Sequence, residues 1–123
     1  MDESLRLQSR ALAISERALG PDHPRTAASL NSLALLRLDM GAPLEAEQLY
    51  ARALAAFERS LGPDHREVGS VLYNLAQLRR DAGATAEARE LYRRAHAIYA
   101  AALGAQHPEA VGIAEELASL EAR

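Results

Sequence analysis

The chain of 123 residues contains no cysteine, which excludes disulfide frameworks, cysteine-ligated zinc and thiol nucleophiles. It contains no lysine either: all 14 basic residues are arginine, so neither a lysine Schiff base nor a phosphate-binding loop with its lysine is available. Aromatics are scarce, with four Tyr, one Phe and no Trp. No apolar run approaches the length of a membrane span. The N-terminus, MDESLRLQSR, lacks the charged-then-apolar pattern of a secretory leader. A net charge of −3 leaves no excess of basic side chains to release counterions from nucleic acid. These absences point to a soluble, cytoplasmic chain that binds neither nucleic acid nor membrane.

What is abundant is alanine, 27 residues, and leucine, 20 residues, the composition of closely packed helices. A repeat organises them. Leu19-Gly20-Pro21-Asp22-His23 returns as Leu61-Gly62-Pro63-Asp64-His65, and in weaker form as Leu103-Gly104-Ala105-Gln106-His107. Aligned without gaps, 19–60 and 61–102 are identical at 20 of 42 positions. The matches include Leu30/Leu72, Leu33/Leu75, Ala34/Ala76, Gly41/Gly83, Ala46/Ala88 and Tyr50/Tyr92. Residues 1–18 match the second half of a repeat and 103–123 the first half. The chain is therefore divided as 1–18, 19–60, 61–102 and 103–123.

Each repeat reads as two helices. Ala27, Leu30, Leu33, Ala34 and Leu38 fall at three- and four-residue steps, the spacing of one helical face. Gly41 and Gly83 supply a left-handed residue to end the first helix, Pro43 suits the first turn of the next, and Thr85 is placed to cap its equivalent. Asp22 and Asp64 are placed to accept from free amides at the following helix start, and Asp64 with Glu67 has capping-box spacing. Six helices are predicted, over 5–17, 24–40, 43–60, 66–82, 86–102 and 108–121, with no strands. Alanines 34 and 46 are expected where neighbouring helices approach closely.

These residues resemble the tetratricopeptide repeat (TPR), in the 42-residue variety of kinesin light chains and many bacterial regulatory proteins. The resemblance rests on Leu30-Asn31-Ser32-Leu33-Ala34, Gly41, Glu45-Ala46-Glu47, Leu49-Tyr50 and Arg52-Ala53-Leu54, with second copies at Leu72-Tyr73-Asn74-Leu75-Ala76, Gly83, Glu87-Ala88, Leu91-Tyr92 and Arg94-Ala95. It covers essentially the whole chain. Arg37 and Arg79 replace the usual late aromatic, and the third copy has Glu115-Glu116 where asparagines are typical. The resemblance implies an all-α, right-handed TPR-type α-α superhelix of about six antiparallel helices. It also implies a bacterial, cytoplasmic scaffold that binds a peptide segment or helix on a concave face lined by the first helices. Carried over position by position, the groove residues are Asn31, Leu35 and Leu38, then Tyr73, Asn74, Gln77 and Arg80. The same carry-over adds Ala28, Ser70, Gly112, Glu115 and Ser119 as groove positions. Side-chain amides there suit a peptide backbone, and Arg80 a carboxylate. For Leu35 and Leu38, packing against a neighbouring helix is the favoured reading. The lysine-and-asparagine clamp that some TPR proteins use for C-terminal carboxylates is absent.

No catalytic constellation, cofactor site or metal site is expected. His23, His65 and His107 recur one repeat apart, about 20 Å from the spacing of packed helices, too far to share an ion; a structural role at a helix start is expected. Glu87 and Glu90 are expected to pair with Arg94 along one helix. The half repeats lack partner helices, so parts of Leu5, Leu12, Ile14, Val111, Leu117 and Leu120 are expected to be bare. Either the chain is part of a longer array, a structural segment with no ligand of its own, or it self-associates end to end as a homo-oligomer.

Overall fold

A computed structural model describes residues 2–122. It contains six helices: α1 (Asp2–Leu19), α2 (Pro24–Asp39), α3 (Pro43–Leu61), α4 (Arg66–Asp81), α5 (Thr85–Leu103) and α6 (Pro108–Glu121). No strand occurs among the described residues. The chain divides into two compact units, Met1–Pro63 and Asp64–Arg123. In the first, α1 and α3 both pack on α2; in the second, α4 and α6 both pack on α5. The predicted helix bounds hold to within a few residues.

The turns explain why the hairpins form. Gly41 and Gly83 adopt φ of +80° and +83°, a conformation that β-carbons disfavour. At the first turn, the Gly41 amide donates to the Leu38 carbonyl at 3.0 Å and the Ala42 amide to the Arg37 carbonyl at 2.9 Å. At the second, Gly83 donates to Arg80 at 3.0 Å and Ala84 to Arg79 at 2.9 Å. This double bond pattern satisfies the last carbonyls of the helix and reverses the chain within three residues. An ion pair then closes each turn: Arg37 Nη1 to Glu45 Oε2 and Arg79 Nε to Glu87 Oε2, both at 3.2 Å. The residues that replace the usual late aromatics are thus used as cross-turn cations.

Three expected caps are corrected. The residue with extended backbone before α2, α4 and α6 is the histidine, not the aspartate. His23, His65 and His107 Nδ1 accept from the amides of Arg25, Glu67 and Glu109 at 3.1, 3.1 and 3.2 Å. Asp22 stands one position too early and instead receives Arg59 Nη1 at 2.9 Å. Glu67 sits two residues after the cap, which removes the capping box. Thr85 does not cap α5 either. Ala84 holds the cap position without a side-chain bond, because its methyl offers no acceptor.

The core of unit one consists of Leu30, Tyr50, Ala53 and Phe57 with the small residues Ala27, Ala34, Ala46 and Ala56, all buried. Thr26 is buried among them, and its hydroxyl donates to the Gly20 carbonyl at 2.8 Å, tying the α1–α2 turn to the start of α2. Unit two repeats the pattern with Leu72, Tyr92, Ala95, Ala76 and Ala88, and adds Ile98. Gly69 falls at the position of Ala27. A β-carbon on Gly69 would lie 3.0 Å from Ile98 Cγ2 and 3.2 Å from Tyr99 Cε2, so α4 and α5 approach to a distance that leaves little room for a methyl. The repeat-one counterparts of Gly69 and Ile98 are Ala27 and Ala56: one hairpin uses two alanines where the other uses a glycine and an isoleucine.

The carboxylates along α5 find arginine partners on either side. Glu87 reaches back to Arg79, and Glu90 pairs with Arg93, whose other nitrogen holds Glu121 of α6 at 3.1 Å. The expected bare ends are also partly corrected. Leu12 is only 7% exposed and Leu120 1%, because α2 and α5 cover them. Leu5 and Leu117 are half-buried, whereas Ile14 at 59% and Val111 at 36% are exposed.

Candidate functional site

The anticipated groove residues fall in both units. In unit one, α2 carries Asn31, Leu35 and Leu38. Asn31 is half-buried, while Leu35 and Leu38 are 44% and 37% exposed. The two leucines are therefore not consumed by packing against a neighbouring helix.

In unit two, Tyr73, Gln77 and Arg80 stand at i, i+4 and i+7 on α4, which places them on one face. Gln77 Nε2 donates to the Tyr73 hydroxyl at 3.2 Å. That hydroxyl donates to Glu116 Oε1 of α6 at 2.6 Å, and Arg80 Nη1 reaches Glu116 Oε2 at 3.4 Å. Arg80 Nε also donates to Asp81 at 3.3 Å. Both oxygens of one carboxylate are thus held by α4, and the three side chains are ordered by it. The Tyr73 ring meets Tyr92 of α5 edge to face, with centroids 5.8 Å apart. Burial, reinforced by Glu116, pushes the Tyr73 hydroxyl up to about 12, so it remains a donor. Asn74, next to Tyr73, is half-buried and has its own polar partner.

Beside this network lies a recess of about 260 Å³ lined by Tyr73 of α4, Tyr99 of α5, and Pro108, Glu109, Gly112 and Ile113 of α6. Gly112 keeps it open: a β-carbon there would meet nothing within 4 Å. The equivalent positions in the earlier repeats are Ser70 and Ala28. Burial raises the Tyr99 hydroxyl; the Ser70 hydroxyl opposes the shift, Glu109 adds to it, and smaller opposed effects come from Arg66 and Glu67. The floor of the recess is aromatic and aliphatic, and its rim carries Glu109. No group of three or more histidine, cysteine, aspartate or glutamate side chains able to hold a metal occurs among the described residues.

Tyr73, Gln77, Arg80 and Gly112 are among the groove positions expected from the sequence. Glu116, Tyr99 and Ile113 are not. The signal for Glu116 was available: it lies four residues after Gly112, on the same face of α6. Tyr99 belongs to a second helix of the repeat, outside the face that was considered.

A family model described as tetratricopeptide repeat matches residues 1–58 and 31–101. No curated protein matches the chain at a significant level. Among solved structures, the chain is similar to the kinesin light chain TPR-like repeats of Podosopora anserina. Identity is 28% and the TM-score 0.85, over 97% of this chain and 56% of that one. A form of the same repeats carrying a substitution to methionine gives a TM-score of 0.84 at 28% identity, with coverage of 97% and 56%. BtubC (BKLC) from P. vanneervenii, at 23% identity, shares the fold with a TM-score of 0.72 over 98% of this chain and 56% of that one. The chain spans little more than half the length of each of these structures. Its all-α hairpins, its 42-residue period and the family match over most of its length agree: the chain belongs to the tetratricopeptide-repeat family, in the kinesin-light-chain-like form.

Proposed function

We propose that the chain is a non-enzymatic interaction module whose α4–α6 face in unit two binds a segment of a protein partner. Repeats of this family generally mediate protein–protein interaction. The observation that carries the finer reading is the recess at Gly112. A polar ladder of Gln77, Tyr73, Glu116 and Arg80 flanks an aromatic and aliphatic hollow. Pre-ordered polar groups next to an apolar cavity are what a side chain and its adjoining backbone need for recognition. Comparative capture from the native host tests it, using the intact chain and Tyr73→Ala. A partner retained by the first and lost by the second, at equal helicity, supports the reading. Identical capture by both refutes it.

A second reading is favoured by one observation on α1. Ile14 is 59% exposed, although its counterparts Ala56 and Ile98 are 1% and 6% exposed. In the complete hairpins that position packs against the first helix of the same repeat. The bare face of α1 therefore fits a helix of that kind, in a structural array. A second copy of this chain would offer α6 for the purpose. In that pairing Glu121 and Glu3 would occupy the places of the Arg37–Glu45 and Arg79–Glu87 pairs, and like charges would face each other. The α1 face thus favours a helix other than the chain's own α6.

A further inference from the structure

The recess has a chemistry more specific than a generic peptide groove. Its walls are two tyrosine rings and Ile113, surfaces that accept an alkyl chain and attract a cation over the ring faces. Its rim and the rest of α6 are acidic. Between Pro108 and Glu121 stand Glu109, Glu115, Glu116 and Glu121 without a basic residue. Glu109, Glu115 and Glu116 lie at −3, +3 and +4 from Gly112, so they surround the opening on one helix face. Glu116 is neutralised by Arg80, and Glu121 by Arg93. Glu109 and Glu115 are exposed, and Glu67 adds a third carboxylate near Tyr99. The cations facing the same space are Arg66, which stands near Tyr99, and Arg80, which Glu116 and Asp81 already engage. The balance around the opening is negative.

Resting on the interaction-module reading above, we infer that the recess receives an arginine or lysine side chain from a basic partner segment. Its alkyl stem lies between Tyr73 and Tyr99, and its charged head sits at Glu109. A long cationic side chain buries its methylenes and keeps its head at the edge, which this apolar floor and acidic rim accommodate. An acidic segment would meet Glu109 and Glu115 without a free cation in reach other than Arg66.

A random dodecapeptide display library, selected on the intact chain and counter-selected on Gly112→Leu, tests this. The substitution has open space around it, and helicity by circular dichroism checks that the fold is kept. The expected result is enrichment of arginine or lysine among peptides that require the open recess. The leading peptide should then bind Glu109→Gln about tenfold more weakly, in step with the loss of a charge-assisted bond, and lose affinity as salt rises. Enrichment of acidic or uncharged peptides that still require the open recess overturns this inference and leaves the interaction-module reading standing. Peptides that bind the intact chain and Gly112→Leu equally overturn both.

Discussion

The α4–α5 interface offers a quantitative test of how the two hairpins differ. Gly69→Ala places a methyl 3.0 Å from Ile98 Cγ2, 3.2 Å from Tyr99 Cε2 and 3.4 Å from Ile98 Cβ. Unstrained carbon contacts lie at about 3.5–4.0 Å. The incoming methyl meets Ile98 and Tyr99 at once, so two side chains must shift together to relieve it. Overpacking of this kind costs about 1–3 kcal/mol. The better helix propensity of alanine returns about 0.5–1 kcal/mol. The net expectation for Gly69→Ala is a loss of about 1 kcal/mol. Ile98→Ala alone opens a cavity and costs roughly 2–5 kcal/mol. The double variant recreates the Ala27 and Ala56 pair of the first hairpin. Its new methyl has no isoleucine to clash with and fills part of the cavity. The double variant is therefore expected to be more stable than the sum of the single changes, by about 1–2 kcal/mol, within the range of couplings between touching residues. Urea unfolding of the four proteins, followed by far-ultraviolet circular dichroism, measures it. Additive losses, or a Gly69→Ala variant more stable than the parent by its full propensity gain, would refute the reasoning.

Three further outcomes are expected. His65→Ala removes the acceptor for the Glu67 amide and should lower stability by about 1 kcal/mol, whereas His65→Asn should keep most of it, as urea midpoints will report. The Tyr50 hydroxyl is buried without a hydrogen-bond partner, so Tyr50→Phe should be neutral or stabilising at pH 7. Burial, with help from Asp39, pushes Tyr50 up to about 12 from 10. The folded chain thus keeps its proton where the unfolded chain loses it, and stability should fall as pH rises from 10 towards 12, less steeply in Tyr50→Phe. Ile14→Ala at the exposed α1 position should change thermal stability by no more than about 0.5 kcal/mol. Ile98→Ala, at the same place in the repeat, should cost several times that; equal effects would disprove the assignment of an unpartnered α1 face.

The helices and their turns were legible because they depend on local spacing. Gly41 and Gly83 end helices for a reason that involves only their own backbone, and the leucine and alanine stripes follow from helical period. The caps were half legible. Histidine was placed at the helix starts, but Asp22 and Asp64 were assigned the hydrogen bond, because cap statistics favour aspartate and the choice turns on a one-residue difference in backbone conformation. The α4 face was legible in Tyr73, Gln77 and Arg80. Glu116 and Tyr99 were not, because their roles depend on where α6 and α5 lie against α4. Gly69 was invisible for the same reason: a helical glycine is unremarkable until Ile98 is seen beside it. Thr26 was overlooked because its counterpart in the second repeat is a valine, which leaves no periodic trace of the hydroxyl's bond to Gly20.

The three imidazoles at the helix starts carry a practical consequence. Each receives an amide proton on Nδ1, which fixes its own ring proton on Nε2. A nitrogen-15 spectrum of the histidine side chains would therefore show His23, His65 and His107 as one tautomer while each cap is formed. Rotational release of any ring would scramble its signal alone. The chain thus carries a native spectroscopic gauge at the start of α2, α4 and α6, able to reveal which of these helix starts loosens first under heat or denaturant without any label being added.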